Sequence, residues 1–197
     1  MKKNRHCEII KEKTLLEKYR KKRNFSSTTE PEGKGKGKIP EKTKSKKTET
    51  GKKNLEFVIH QHFASRLHYD LRLELEGVLK SWAVPKEPSL DPAVKRLAVM
   101  VEDHPFEYRL FKGTIPEGNY GAGKVNIWDK GTYNALDAAN REESEVALTD
   151  GLKKGHLTFI LKGKKLKGEF SLVRIPKTGE KNWLLIKKND QFAQRSN

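Results

Sequence analysis

Cysteine is almost absent: Cys7 stands alone in 197 residues, so no internal disulfide can brace the fold and no Cys-pair zinc site can form. Long apolar runs are missing as well. No stretch could span a bilayer and the N-terminus carries no signal-type apolar segment, which predicts an intracellular, cytoplasmic protein without a membrane partner. Hydrophobic residues make up only 34% and aromatics 8%, too little for every segment to bury a core. Acidic residues are in deficit, 26 Asp+Glu against 42 Lys+Arg, for a net charge of +16. Residues 1–54 hold 19 Lys+Arg against 7 Asp+Glu and the other 143 residues hold 23 against 19, so the positive charge belongs mainly to an N-terminal arm.

Catalytic signatures of several classes are missing too. There is no nucleophile elbow and no dinucleotide fingerprint between a strand and a helix. Gly118 to Lys124 begins like a phosphate-binding P-loop, but Val125 stands where the magnesium-binding Ser/Thr is required, and VNIW alternates like a strand instead of opening a helix. Tight turns account better for these glycines.

Within the arm (1–54), Ile9, Ile10, Leu15, Leu16 and Tyr19 are spaced for a short amphipathic helix over 8–23. Gly, Pro, Ser, Thr and Lys dominate residues 24–54, which predicts a mobile basic linker, either a solvated tail or a segment that tracks phosphates. From Leu55 to about residue 190 short strands alternate with Gly/Pro turns, the candidates being Val78–Val84, Leu97–Val101, Glu107–Phe111, Lys124–Trp128, His156–Leu161, Gly168–Ile175 and Asn182–Lys188. Only Leu136–Leu148 could be helical, and it could equally be a charged loop. The pattern predicts a mainly β domain over 55–190, a barrel or sandwich, with a flexible tail over 191–197.

What the chain does have is a concentrated stretch, LEFVIHQHFASRLHYDLRLELE, from Leu55 to Glu76, with three of the six histidines within nine residues. From His68 onward polar residues recur at every second place (His68, Asp70, Arg72, Glu74), which puts them on one face of a strand. Such a row could simply be the wet face of an antiparallel strand. His68 and Asp70 are nonetheless close enough to converge on one ion, and His62 precedes them by a turn-length gap, so the three form a candidate metal set of mixed nitrogen and oxygen donors that suits manganese, zinc or iron. Arg72, one step along, is suited to an anion bound there. His60 could be a ligand, a supporting donor or an exposed residue. Inside a barrel, such a row would line an inward crevice.

The runs HFASRLHYDLRLELEGVLKSWAVPK, LDPAVKRLAVMVEDHPFEY and IPEGNYGAGKVNIWDKG together resemble the 3′-phosphoesterase module of bacterial DNA ligase D, from about Tyr19 to about Lys188. The resemblance implies a small closed β-barrel with a few short flanking helices. It implies a metal-dependent phosphoesterase acting on DNA 3′ ends, removing a 3′-phosphate or a terminal ribonucleoside, with manganese as the first-choice cation and zinc or cobalt as alternatives. His104 would contact the scissile phosphate and Tyr108 a non-bridging oxygen. Arg23 and Glu30, from YRKKRNFSSTTEPEG, would join the site, and Lys86 and Arg96 would line the phosphate groove. Two positions depart from the family: Asn24 stands where an acidic residue is usual, which tilts the expectation toward the phosphatase reaction, and His60 stands where glutamine is more usual. Partners would be DNA 3′ ends and a separate ligase or polymerase, with the chain itself a monomer. The rival readings are a non-catalytic nucleic-acid-binding module and an RNA-end phosphoesterase. Because imidazole ligates only when neutral, the metal reading predicts activity that falls as pH drops below about 6.5; a rate flat into the acid range at saturating metal would exclude this ligand set.

Overall fold

The computed structural model describes residues 14–33 and 54–195, so the parts of the expected helix and linker at 8–13 and 34–53, and the last two residues of the tail, lie outside it. Eight antiparallel strands close a barrel in the order β1 (Leu55–Phe63), β2 (Leu67–Leu75), β3 (Val78–Val84), β4 (Lys95–Met100), β10 (Asn182–Lys187), β9 (Lys167–Arg174), β8 (His156–Lys162) and β7 (Gly123–Ala135), the last pairing back onto β1. Two short strands are attached outside the ring, β5 (His104–Pro105) on β3 and β6 (Gly113–Ile115) on β7. The expected closed barrel is therefore present, with two short helices among the described residues, α1 (Glu17–Lys21) and α2 (Arg141–Lys154). Among the described residues no helix is long and apolar enough to cross a membrane.

Alternation decides what fills the barrel. Tyr69, Leu71, Leu73 and Leu75 of β2 enter the principal core with Leu55, Phe57, Ile59, Trp82, Phe159, Phe170 and Trp183, and the Trp82 and Trp183 rings meet edge to face at 5.9 Å. The even residues of β2 must then point outward, which corrects the expectation of an inward polar crevice. They are nevertheless buried: Asp70, Arg72 and Glu74 are only 4–6% exposed. A second, smaller core of Tyr19, Leu79, Tyr108, Phe111, Ile115 and Val125 covers part of this outer face. Part of the polar row thus lies between two apolar layers.

Other segments also differ from their sequence reading. Glu107–Phe111 is not a strand; Phe106–Leu110 is a 3-10 turn entered from Pro105 (φ −62°), whose tightness lets Tyr108 and Phe111 pack together in the outer core. The strand expected at Lys124–Trp128 runs to Ala135, with an irregular register opposite Ile59/His60. The stretch Leu136–Leu148 is helical only from Arg141, in α2, begun at Asn140, whose side chain accepts from the Glu143 amide, and ended by Gly155 at φ +83°. Residues 14–33, assigned to the basic arm, pack onto the barrel: Leu16 and Tyr19 are fully buried, and the Tyr19 hydroxyl donates to the Pro31 carbonyl (2.7 Å). Residues 191–195 are likewise tied down in part, Gln194 N donating to the Leu90 carbonyl.

The glycine-rich turn before β7 packs against the β1–β2 hairpin. A Cβ on Gly123 (φ +138°) would fall 2.2 Å from the Phe63 carbonyl oxygen, whereas one on Gly118 (φ +82°) would meet nothing. Gly123→Ala is therefore expected to destabilise the protein by more than about 2 kcal/mol and Gly118→Ala by only about 1 kcal/mol, from backbone strain alone. Urea unfolding of both variants checks this ordering.

Candidate active site

The register of the β1–β2 hairpin builds the metal set. His62 lies directly across from His68, and His60 across from Asp70, so the outward side chains of four neighbouring positions converge. Donor atoms of His62, His68 and Asp70 all lie within 4.8 Å of one another. His62 Nδ1 and His68 Nε2 each face a different Asp70 oxygen at 3.6 Å. The remaining ring nitrogens are occupied by carbonyls: His62 Nε2 donates to Gly121 O (2.9 Å) and His68 Nδ1 to Arg66 O (3.0 Å). Those bonds orient the two rings and turn the other nitrogen of each toward Asp70. Two imidazole nitrogens and a carboxylate turned toward one another form a set that a divalent cation fits.

Arg72 joins this set to the rest of the outer face. Its Nη2 donates to Asp70 Oδ2 (3.0 Å), Nε to His60 Nδ1 (3.2 Å) and Nη1 to Ser81 Oγ (3.0 Å), and Ser81 in turn donates to the Leu79 carbonyl. The guanidinium lies 4.8 Å from the Tyr108 ring centroid. Burial by itself would raise the Asp70 carboxyl, but Arg72 and the two histidines outweigh it and hold Asp70 well below the usual carboxylate range. Asp70 is therefore ionised and ready to ligate. His60 is a supporting residue: its Nδ1 accepts from Arg72, and burial followed by the Arg72 charge pushes its pKa down to about 3.

A second group, drawn partly from the N-terminal segment, closes the site. Arg23 donates through Nε to Glu30 (2.9 Å), through Nη1 to Glu102 (3.2 Å) and through Nη2 to His104 Nε2 (3.1 Å). The Tyr108 hydroxyl donates to the same Glu30 oxygen (3.0 Å). His104 Nδ1 donates to the Glu102 carbonyl, so Nε2 is an acceptor and the ring is neutral; burial, then Arg72 and Arg23, keep its pKa well below the ordinary value. The Tyr108 ring packs against both His104 (5.0 Å) and His60 (5.6 Å). Arg23, Glu30, His104, Tyr108, Arg72 and the metal set are thus one contiguous group. Lys86 and Arg96 lie outside it: Lys86 is exposed and Arg96 is engaged with the Glu87 carbonyl.

Sequence reasoning left several supporting groups without a role. Ser81 orients Arg72, Glu102 holds both Arg23 and Lys22, and the Gly121 carbonyl fixes His62. The turn sequence NYGAG is the only signal for the last of these.

A family model described as the DNA ligase D 3′-phosphoesterase domain matches residues 60–174. The chain is 49% identical over 180 residues to the multifunctional non-homologous end joining protein LigD of Pseudomonas aeruginosa, a match that covers 91% of this chain and 19% of that protein. Identity to the LigD protein of Mycolicibacterium smegmatis is 43% over 177 residues (90% and 21% covered). Against the multifunctional non-homologous end joining DNA repair protein LigD of Mycobacterium tuberculosis it is 41% over 180 residues (91% and 20%). The chain spans about a fifth of the length of these curated relatives.

The neutral, buried His60 couples the site to stability. Its folded pKa of about 3 lies below the unfolded value of about 6.5, so the unfolded state binds more protons between them, and stability present above pH 6.5 is lost as pH falls. Glutamine keeps an acceptor for Arg72 but does not titrate. In chelated protein the wild type is expected to lose about 2 kcal/mol more than His60→Gln between pH 7 and pH 5, read by urea unfolding; equal losses would show that His60 is not held neutral.

Proposed function

The chain belongs to the DNA ligase D 3′-phosphoesterase domain family, and from that membership we propose that it is a metal-dependent phosphoesterase that heals DNA 3′ ends, converting a 3′-phosphate to a 3′-hydroxyl and removing a terminal 3′-ribonucleoside. The observation that carries this reading is the His62–His68–Asp70 donor set coupled through Asp70 to the buried Arg72 fork. Manganese is the proposed cation, with zinc or cobalt as alternatives, because a set of two imidazoles and one carboxylate selects poorly among them.

His62, His68 and Asp70 would hold the cation, which supplies Lewis-acid stabilisation of phosphoryl charge and activates water. Arg72 contributes hydrogen bonds. A guanidinium has five N–H groups and three of them are engaged here, so two remain for the oxygens of a phosphate. Arg23 has one N–H left by the same count, four being engaged. Charge developing on the phosphoryl group would thus be met by donors already oriented by Ser81, His60, Glu30 and Glu102, with little reorganisation. His104 presents a bare nitrogen to Arg23, so it would contact the phosphate only once protonated; an incoming anion favours that protonation, which would equip His104 to return a proton to the leaving 3′-oxygen. Tyr108 would turn its hydroxyl from Glu30 to a non-bridging oxygen.

Asn24 supports a bias toward the phosphatase reaction. Its Oδ1 accepts from the amide (3.2 Å) and the hydroxyl (2.6 Å) of Ser26, a local Asx turn at an exposed position that supplies no charge to a sugar hydroxyl. Lys86 and Arg96 would lie along the path of the strand leading to the site. The basic residues of 1–54 would track its phosphates and their contribution would weaken as salt rises. Synthesis and sealing of the healed end would fall to polymerase and ligase activities.

The test uses labelled primer-templates ending in a 3′-phosphate or in one ribonucleotide, incubated with manganese, with chelator, and with His68→Ala. Wild type with manganese should yield the 3′-hydroxyl product, while chelator and His68→Ala reduce it to background. Asn24→Asp should raise the ratio of ribonucleoside removal to phosphate removal. Conversion of neither substrate by wild type would leave a nucleic-acid-binding module as the reading.

A further inference from the structure

Tyr120 is 49% exposed, yet it immediately precedes Gly121, whose carbonyl orients the ligand His62. Its backbone is pinned on both sides. Asn119 Oδ1 accepts from Ser27 Oγ (2.6 Å), its Nδ2 donates to the Pro116 carbonyl (3.2 Å), and the Ala122 amide donates to the Asn119 carbonyl (3.1 Å). Gly118 and Gly121, at φ +82° and +77°, shape the turn. The ring is held as well. Lys22 Nζ donates to the phenol oxygen (3.2 Å) and lies 4.5 Å from the ring centroid, and Lys22 is itself paired with Glu102 (2.9 Å). The Arg23 guanidinium is 5.5 Å from the same centroid.

An aromatic ring is therefore fixed in solvent at the rim, tied through Gly121 to the metal set and through Lys22, Arg23 and Glu102 to His104. An exposed, immobilised aromatic flanked by cations beside a phosphate site has the features of a base-stacking platform, since every base has a π-face and the adjoining phosphate needs positive charge. Phe63 and Leu67 are also 44% exposed, but strand parity places them on the opposite face of the hairpin from His62 and His68. They cannot serve the same site. The bland alternative is a surface tyrosine that only packs on a lysine stem, and it predicts no dependence on a base.

We propose that Tyr120 stacks on the terminal base of the substrate strand, so that the site recognises the nucleoside carrying the phosphate and not the phosphate alone. This rests on the reading of the substrate as a DNA 3′ end.

The experiment compares the 197-residue wild type, Tyr120→Ala and Tyr120→Phe on primer-templates whose 3′-phosphate is borne by thymidine or by an abasic deoxyribose. Dissociation constants are measured in parallel by anisotropy with chelator present. Tyr120→Ala should raise KM about 10-fold on the thymidine end with kcat little changed, as expected for one stacked base, and Tyr120→Phe should restore most of the loss. On the abasic end wild type and Tyr120→Ala should converge. An equal penalty on both ends, or none on either, overturns the proposal. If wild type turns over neither end, the catalytic reading fails while stacking is still judged on affinity: a base-dependent difference between wild type and Tyr120→Ala supports it, and a base-independent one overturns it.

Discussion

The buried contact between Asp70 and Arg72 is the interaction on which the site depends. An ionised carboxylate and a guanidinium sit side by side on β2, 3.0 Å apart and each nearly sealed from solvent. Leaving either without the other would strand a buried charge, a loss of about 3–5 kcal/mol. The pair is tolerable because each member has further partners: His62 and His68 on the Asp70 side, His60 and Ser81 on the Arg72 side. That same satisfaction leaves Asp70 ionised for a cation and Arg72 with hydrogens to spare for a phosphate. Stability and chemistry draw on one set of contacts.

A barrel wall is an apt support for such a group. Strand pairing sets the separation of His62, His68, Asp70 and Arg72 through backbone hydrogen bonds, so four polar side chains are positioned without mobile loops. The outer apolar layer then does for this face what the barrel interior does for the other: Tyr19, Tyr108 and Phe111 exclude water around the guanidinium, and low dielectric strengthens each polar contact. The N-terminal segment completes the enclosure by delivering Arg23 and Glu30 beside His104 and Tyr108.

Much of this was legible in the linear chain. Period-two alternation over Leu67–Leu75 marks a strand, and that strand brings His68, Asp70 and Arg72 onto one face whatever encloses it. A single cysteine excluded an internal disulfide, and the resemblance of three motif runs identified the family and its barrel. Locally ambiguous stretches were harder. Glu107–Phe111 reads as a strand because β-formers crowd it, but tertiary packing of Tyr108 and Phe111 rewards a 3-10 turn instead. The arm reads as solvated because its charge dominates its few apolar residues, yet residues 14–33 dock with Leu16 and Tyr19 fully buried and Arg23 and Glu30 bonded to the barrel side.

By itself the sequence determined which residues could ligate a cation, that they share a strand face, and which family the motifs resemble, because parity and residue type are local properties of the chain. Which side of the barrel that face occupies was decided only by the tertiary structure. Leu71 and Leu73 filled the interior and turned Asp70 and Arg72 outward, and only then could a second layer cover them, a glycine-turn carbonyl meet His62 and a distant glutamate meet Tyr108. Those partners are far apart in sequence, and nothing short of closing the barrel brings them within hydrogen-bond reach.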